Sequence, residues 1–215
     1  MTILQKYAAI LGAIQDLCPT AHIAGGAVRD TILERPIKDI DLFLSDAATD
    51  RAAQLLRARY GYVKVGEWTQ YEGFSDPAVA RLAKFENAGE VIPLCLIGLS
   101  SALSVRENIE RFDFGVCMAA WDGGEIIRTT EFNEDVKDQT FTLHRADSQP
   151  QFDYSMSRFR KITSERYAGW TLSVPDIFKR LAREHSFRRD WYSDYRRPFD
   201  LGPNLLKPKE RSGAA

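Results

Sequence analysis

Ile23-Ala24-Gly25-Gly26-Ala27-Val28-Arg29-Asp30, resumed at Asp39-Ile40-Asp41-Leu42-Phe43-Leu44, is the stretch that decides the fold. It reads as a glycine turn and helix leading to a strand that carries two carboxylates. Successive side chains of an extended strand point to opposite faces, so Asp39 and Asp41 share one face and Ile40, Leu42 and Leu44 the other. Two carboxylates on one rigid strand can hold one or two Mg²⁺ (or Mn²⁺) ions, which take oxygen ligands and keep room for phosphate and water. Gly25 and Gly26 supply the other half. Without Cβ atoms they let backbone N–H groups approach a triphosphate, and the following helix turns its positive end toward it. Asp39 and Asp41 are thus expected as catalytic groups and metal ligands, with a nucleoside triphosphate as substrate. Their bland reading is a pair of exposed polar residues at a strand start, which the glycine motif ahead of them disfavours.

The 215 residues, 44% of them hydrophobic, can bury a core of one domain with a small appendage. Residues 1–150 hold 15 basic and 22 acidic side chains, a balance of −7, whereas 151–215 hold 14 and 8, a balance of +6. An acidic, metal-holding part beside a basic part suits an anionic substrate; ordinary solvation is the plainer explanation. Cys18, Cys95 and Cys117 lack the spacing of a disulfide framework or zinc site and read as buried thiols. The apolar run Val91 to Leu99 is broken by Pro93 and is too short to span a bilayer, and the N-terminus lacks a signal-peptide layout. A cytoplasmic protein with no membrane association is expected.

Apolar spacing predicts a helix over 3–17, a strand around His22–Ala24, a helix over 27–34 stopped by Pro36, and a helix over 47–59 capped by Ser45 and Asp46. Residues 62–65 alternate as a strand, and 80–86 with 91–97 form a hairpin closed by Asn87-Ala88-Gly89. Residues 101–111 read as helix and 112–121 as strand, with a turn at Asp122-Gly123-Gly124 returning into Ile126-Ile127. After Gln149-Pro150 the sequence becomes helical and basic, with helices expected over 153–168 and 175–195 and a mobile tail from 203. The order is α+β, with the domain boundary at 150.

Gly25-Gly26-Ala27-Val28-Arg29-Asp30 with Asp39-Ile40-Asp41 resembles the head of the class II CCA-adding enzymes and bacterial poly(A) polymerases, in the polymerase-beta-like nucleotidyltransferase superfamily. Arg111-Phe112-Asp113-Phe114-Gly115 is similar to the family's Arg-Arg-Asp-Phe-Thr segment near the ribose, with Phe112 in place of its second arginine. Residues 157–167 resemble the helix that reads the base and holds phosphates, which assigns Arg160 and Arg166 to nucleotide binding. The resemblance covers roughly residues 20–170. It implies a mixed, largely antiparallel palm sheet flanked by helices over 1–150, then a short basic neck-like segment over 151–215. It does not extend to the helical body that grips tRNA, so CCA addition itself is not expected.

The reaction implied is nucleotidyl transfer to a hydroxyl acceptor on RNA, a protein or a small molecule, with pyrophosphate release. Gly25, Gly26, Arg29, Arg111, Arg160 and Arg166 would bind the nucleotide, Arg29 through a bidentate contact. Many superfamily members add a third acid from a neighbouring strand. Residues 91–97 contain none, so Glu86, Glu90 and Asp113 are the substitutes; Asp113 is preferred, and on a strand it faces either the site or water. Asp30 reads as structural, as do His22, His144 and His185. The stretch 187–197 could stack bases or form an amphipathic docking helix. The competing class is a nucleotide-binding partner module, weak or inactive in catalysis, on the same fold.

Overall fold

The computed structural model describes residues 3–68, 76–101 and 103–187. The first helix is broken at the buried Tyr7 (φ −91°, ψ 0°) into α1 (Ile3–Lys6) and α2 (Ala8–Gln15). Then follow β1 (His22–Ala24), α3 (Gly26–Ile32), β2 (Ile40–Ser45), α4 (Asp46–Tyr60), β3 (Val63–Trp68), β4 (Val79–Asn87) and β5 (Glu90–Leu99). Ser45 stands at the N-cap of α4 without a side-chain capping bond, and Asp46 turns instead to Arg81 at 2.6 Å. The hairpin expected between 80 and 97 forms as β4 and β5, its turn held by Gly89 N–H donating to Asn87 Oδ1 at 2.9 Å.

Seven strands form one sheet in the order β3-β4-β5-β2-β1-β6-β7, where β6 is Ala119–Trp121 and β7 Ile126–Arg128. Every neighbouring pair is antiparallel except β2 and β5, which run parallel and place Asp41 beside Cys95. This is the mixed α+β sheet flanked by helices that the sequence predicts. Alternation along β2 sorts its residues as expected: Ile40, Leu42 and Leu44 enter the main core with Leu11, Val28, Ala52 and Leu56, whereas Phe43 joins a small cluster on the opposite face. Asp39 lies just ahead of the strand.

Two expectations are corrected. The helix expected over 101–111 shrinks to α5 (Val105–Ile109), a single turn fixed by a capping box between Ser104 and Glu107. The strand expected over 112–121 is strand only from Ala119. A 3-10 turn occupies Gly115–Cys117, because the buried Asp135 accepts bonds from Val116 N–H (2.7 Å) and Thr142 N–H (3.0 Å) and draws the chain off the sheet. A Cβ at Gly115 would come within 2.8 Å of that carboxylate.

Asp135 belongs to α6 (Thr130–Asp138), which with β8 (Thr140–Thr142) was not anticipated from the sequence. The long helix α7 (Gln149–Glu165) begins at Ser148, whose Oγ accepts from Gln151 N–H, with Pro150 in its first turn. β9 (Thr171–Ser173) pairs parallel with β8, and α8 (Lys179–Phe187) follows a 3-10 turn. Phe114, Phe141, Phe152, Phe159, Tyr167 and Trp170 form a second core joining residues on both sides of position 150. The remainder of the helix expected over 175–195, most of the stretch 187–197 and the tail from 203 lie outside the described residues. Among the described residues no helix is long and apolar enough to cross a membrane.

Candidate active site

A cavity of about 560 Å³ separates the β1-β2-β5 surface from α7, within the usual range for small-molecule sites. Asp39 and Asp41 line its floor with Cys95, the glycine turn forms one end, and α7 roofs it with Tyr154, Arg158, Lys161 and Glu165. That spacing is one helical face, while Phe152, Met156 and Phe159 on the other face are buried in the second core.

Gly25 adopts φ +76°, ψ −131°, a conformation reserved for glycine. The Phe112 ring lies 3.4 Å from where a Cβ would stand and 5.7 Å, centre to centre, from Phe43. Where the resembled family has an arginine, the cavity thus has an aromatic plate over the turn. The N–H of Gly25 is taken by Ala119 O at 2.9 Å, so the closeness of the backbone, not that donor, is what the turn offers.

Burial, and secondly the charge of Asp39, push the Asp41 carboxyl up to about 7; Arg158, Lys38 and a hydrogen bond with Cys95 act the other way. Between about pH 4 and 7 the folded chain therefore holds a proton that the unfolded chain releases. This group's stabilising contribution is complete below its unfolded value of 3.8 and disappears as pH rises through 7. In chelator, Asp41→Asn should raise the melting temperature at pH 8 by several degrees, with the gain vanishing toward pH 4. Thermal denaturation across that range checks it.

Arg29 is not on the surface. It is 1% exposed; its Nε donates to Asp30 Oδ1 at 2.7 Å and Tyr167 Oη at 3.0 Å, and Nη1 reaches Cys117 Sγ at 3.3 Å. Burial opposes its charge, and the Asp30 carboxylate beside it is the opposite charge that offsets this. Arg166 caps the same Asp30 from the end of α7 and also donates to Pro36 O. Asp30 is thus a buried post linking α3 to α7, the structural part the sequence suggests for it.

Arg111 lines the cavity in an ion pair with Asp76, which Arg145 meets from the other side at 3.2 Å. Asp113 also lines it, gripped by Arg158 and Ser155 of α7. Arg160 does not line it, since it sits two residues from Arg158 and hence on another side of the helix, and neither do Glu86 and Glu90, the other acids considered beside Asp113. Sequence reasoning missed Arg158, Lys161 and Arg145; the period 154, 158, 161, 165 was the signal for the first two. His22 is a packing residue, stacked on Phe43 with Nε2 2.9 Å from Asn108 Nδ2. All three cysteines are free and buried.

The donors suit Mg²⁺ or Mn²⁺: two hard carboxylates line one cavity, and a cation would offset both the burial of the Asp41 charge and, secondly, its repulsion by Asp39. Among the described residues no group of three or more His, Cys, Asp or Glu side chains could hold a metal ion.

In fold, this sheet with its flanking helices is similar to the heads of CCA-adding enzymes. A solved tRNA-processing enzyme in its apo form superposes with a TM-score of 0.55 at 19% identity, over 87% of this chain and 49% of that one. A tRNA nucleotidyltransferase complexed with a primer tRNA and an incoming ATP analog gives 0.51 at 18%, over 78% and 47%. The CCA-adding enzyme of Enterococcus faecalis is 29% identical over 156 residues, 69% of this chain and 36% of that enzyme. The chain therefore spans half or less of the length of these relatives. Residues 4–139 match the Gabija anti-defense 2 family, and the chain belongs to that family.

Proposed function

We propose that the chain is a nucleotidyltransferase, moving a nucleoside monophosphate from a nucleoside triphosphate to a hydroxyl acceptor on RNA, a protein or a small molecule with release of pyrophosphate. The observation that carries this reading is the Asp39/Asp41 pair on a cavity floor, facing cations of α7 and flanked by the glycine turn. The likeness to a tRNA nucleotidyltransferase solved with an ATP analog and a primer tRNA supports nucleotide and RNA as partners.

Asp39 and Asp41 would hold Mg²⁺ or Mn²⁺. When bound, that ion would neutralise phosphate charge and lower the pKa of the acceptor hydroxyl. Gly25 and Gly26 let the triphosphate come close to the backbone, and Phe112 offers an apolar face beside it. Arg111 and Arg166, each aligned by an aspartate, add positive charge along the walls, so catalysis is largely positioning and charge neutralisation. Arg160 would act only if α7 turned relative to the sheet.

That the described residues hold no three-acid cluster favours a second reading, a nucleotide-binding partner module that turns over slowly or not at all. The family's description as Gabija anti-defense supports reading either activity as directed against that defence. Pyrophosphate release, measured with each of the four nucleoside triphosphates, Mg²⁺ and mixed RNA, separates the two. Mg²⁺-dependent release with at least one nucleotide is expected. Mg²⁺-dependent binding without turnover on the acceptors offered favours the module, and binding of neither nucleotide nor Mg²⁺ overturns both.

A further inference from the structure

We infer that Asp113 is a positioning residue, whose task is to hold the Arg158 guanidinium over the cavity as a receptor for the substrate's polyphosphate. This rests on the proposed function above and assigns the polyphosphate end of that site.

A carboxylate offers about four lone-pair directions, and all four of Asp113's are occupied. Oδ1 accepts from Phe114 N–H at 3.1 Å and Arg158 Nη1 at 2.8 Å; Oδ2 accepts from Ser155 O–H at 2.8 Å and the same Nη1 at 2.8 Å. Its backbone carbonyl accepts from His144 N–H at 2.8 Å and from Arg145 N–H at 3.4 Å. A buried carboxylate so fully engaged, and fixed to two separate segments, is poorly disposed to become a third metal ligand. It is well disposed to act as a rigid bracket.

What the bracket holds is different in kind. The Arg158 side chain is 36% exposed, against 9% for Asp113, and it lines the cavity roof opposite Asp39 and Asp41. Ser155 and Arg158 stand one turn apart on α7, so one carboxylate sets both the register of the helix and the direction of the guanidinium. A guanidinium fixed across the cavity from Asp39 and Asp41 would complete a clamp for a chain of phosphates, with Arg158 binding phosphate oxygens and the carboxylate pair holding the cation that would neutralise the rest.

Calorimetric titration with inorganic tripolyphosphate and Mg²⁺ tests the idea without relying on any acceptor. Arg158→Ala should weaken tripolyphosphate binding on the order of 10- to 100-fold. Asp113→Asn should weaken it by a smaller factor, and the double variant should bind no worse than Arg158→Ala alone, because Asp113 acts only through that arginine. Free guanidinium ion should restore binding to Arg158→Ala but not to the double variant, which lacks the bracket; a merely structural Asp113 would not produce that difference. Ser155→Ala, which loosens the bracket but keeps both charges, gives a milder loss and serves if Asp113→Asn does not fold. Wild-type affinity in Arg158→Ala, or rescue that ignores Asp113, overturns the inference and leaves the proposed function standing. Failure of the wild-type chain to bind tripolyphosphate with Mg²⁺ removes both.

Discussion

Asparagine at both position 39 and position 41 is expected to cut Mg²⁺-dependent pyrophosphate release by about 10²- to 10⁴-fold, the loss that several kcal/mol of transition-state charge stabilisation represents. The substitution keeps the shape of both side chains and removes only their charge. The hydrophobic side of β2 is untouched, since Ile40, Leu42 and Leu44 remain in the main core. Stability should not fall with activity. Without divalent cation the double variant should melt higher than wild type at pH 8, because the cost of burying the Asp41 charge, and secondly its repulsion by Asp39, is gone. Activity lost together with a gain in thermal stability identifies a site that trades folding energy for cation binding. Transfer of labelled nucleotide at the wild-type rate would leave the proposed chemistry without a centre.

The second large effect is on folding. Asp30→Ala should destabilise the chain by roughly 3–5 kcal/mol, the range found when one partner of a buried ion pair is deleted. Asp30 serves Arg29, Arg166 and the Tyr167 hydroxyl, with Tyr167 O–H donating to Oδ1 at 2.6 Å. Its removal leaves the buried Arg29 guanidinium with only Tyr167 and Cys117, neither of which carries compensating charge in its neutral form. Urea denaturation measures the loss. Asp30→Asn, which keeps the shape and one acceptor oxygen, should lie between alanine and wild type. An alanine variant as stable as wild type would mean that α3 and α7 are held by apolar packing alone.

What the sequence made legible was local and periodic. The faces of β2, the β4–β5 hairpin and the stripe Ala52, Leu56 on α4 follow from alternation and helical spacing, and each is where that spacing puts it. The glycine turn and the aspartate pair were also readable, because residue type and order together carry the signal. Illegible features depended on partners distant in sequence. Residues 112–118 have strand-like composition, but Asp135 pulls them into a turn, and nothing near 115 announces that partner. Arg29 reads as a nucleotide-binding cation, and nothing near it announces Tyr167, over a hundred residues later, which closes over it at 4.8 Å from guanidinium to ring centre. Resemblance alone directed attention to Arg160, whereas one helical turn counted from Tyr154 leads to Arg158 and Lys161.

Asp41 lies on the fourth of seven strands, paired with Cys95 of β5, and the two residues that follow it, Leu42 and Phe43, are paired along both edges. Such central backbone opens to solvent only when the whole molecule unfolds, and amide exchange at Leu42 and Phe43 should be among the slowest in the chain. Diversification within this lineage would then leave the carboxylate floor nearly unchanged and accumulate on the opposite wall, where a helix can vary its outward residues without disturbing the sheet.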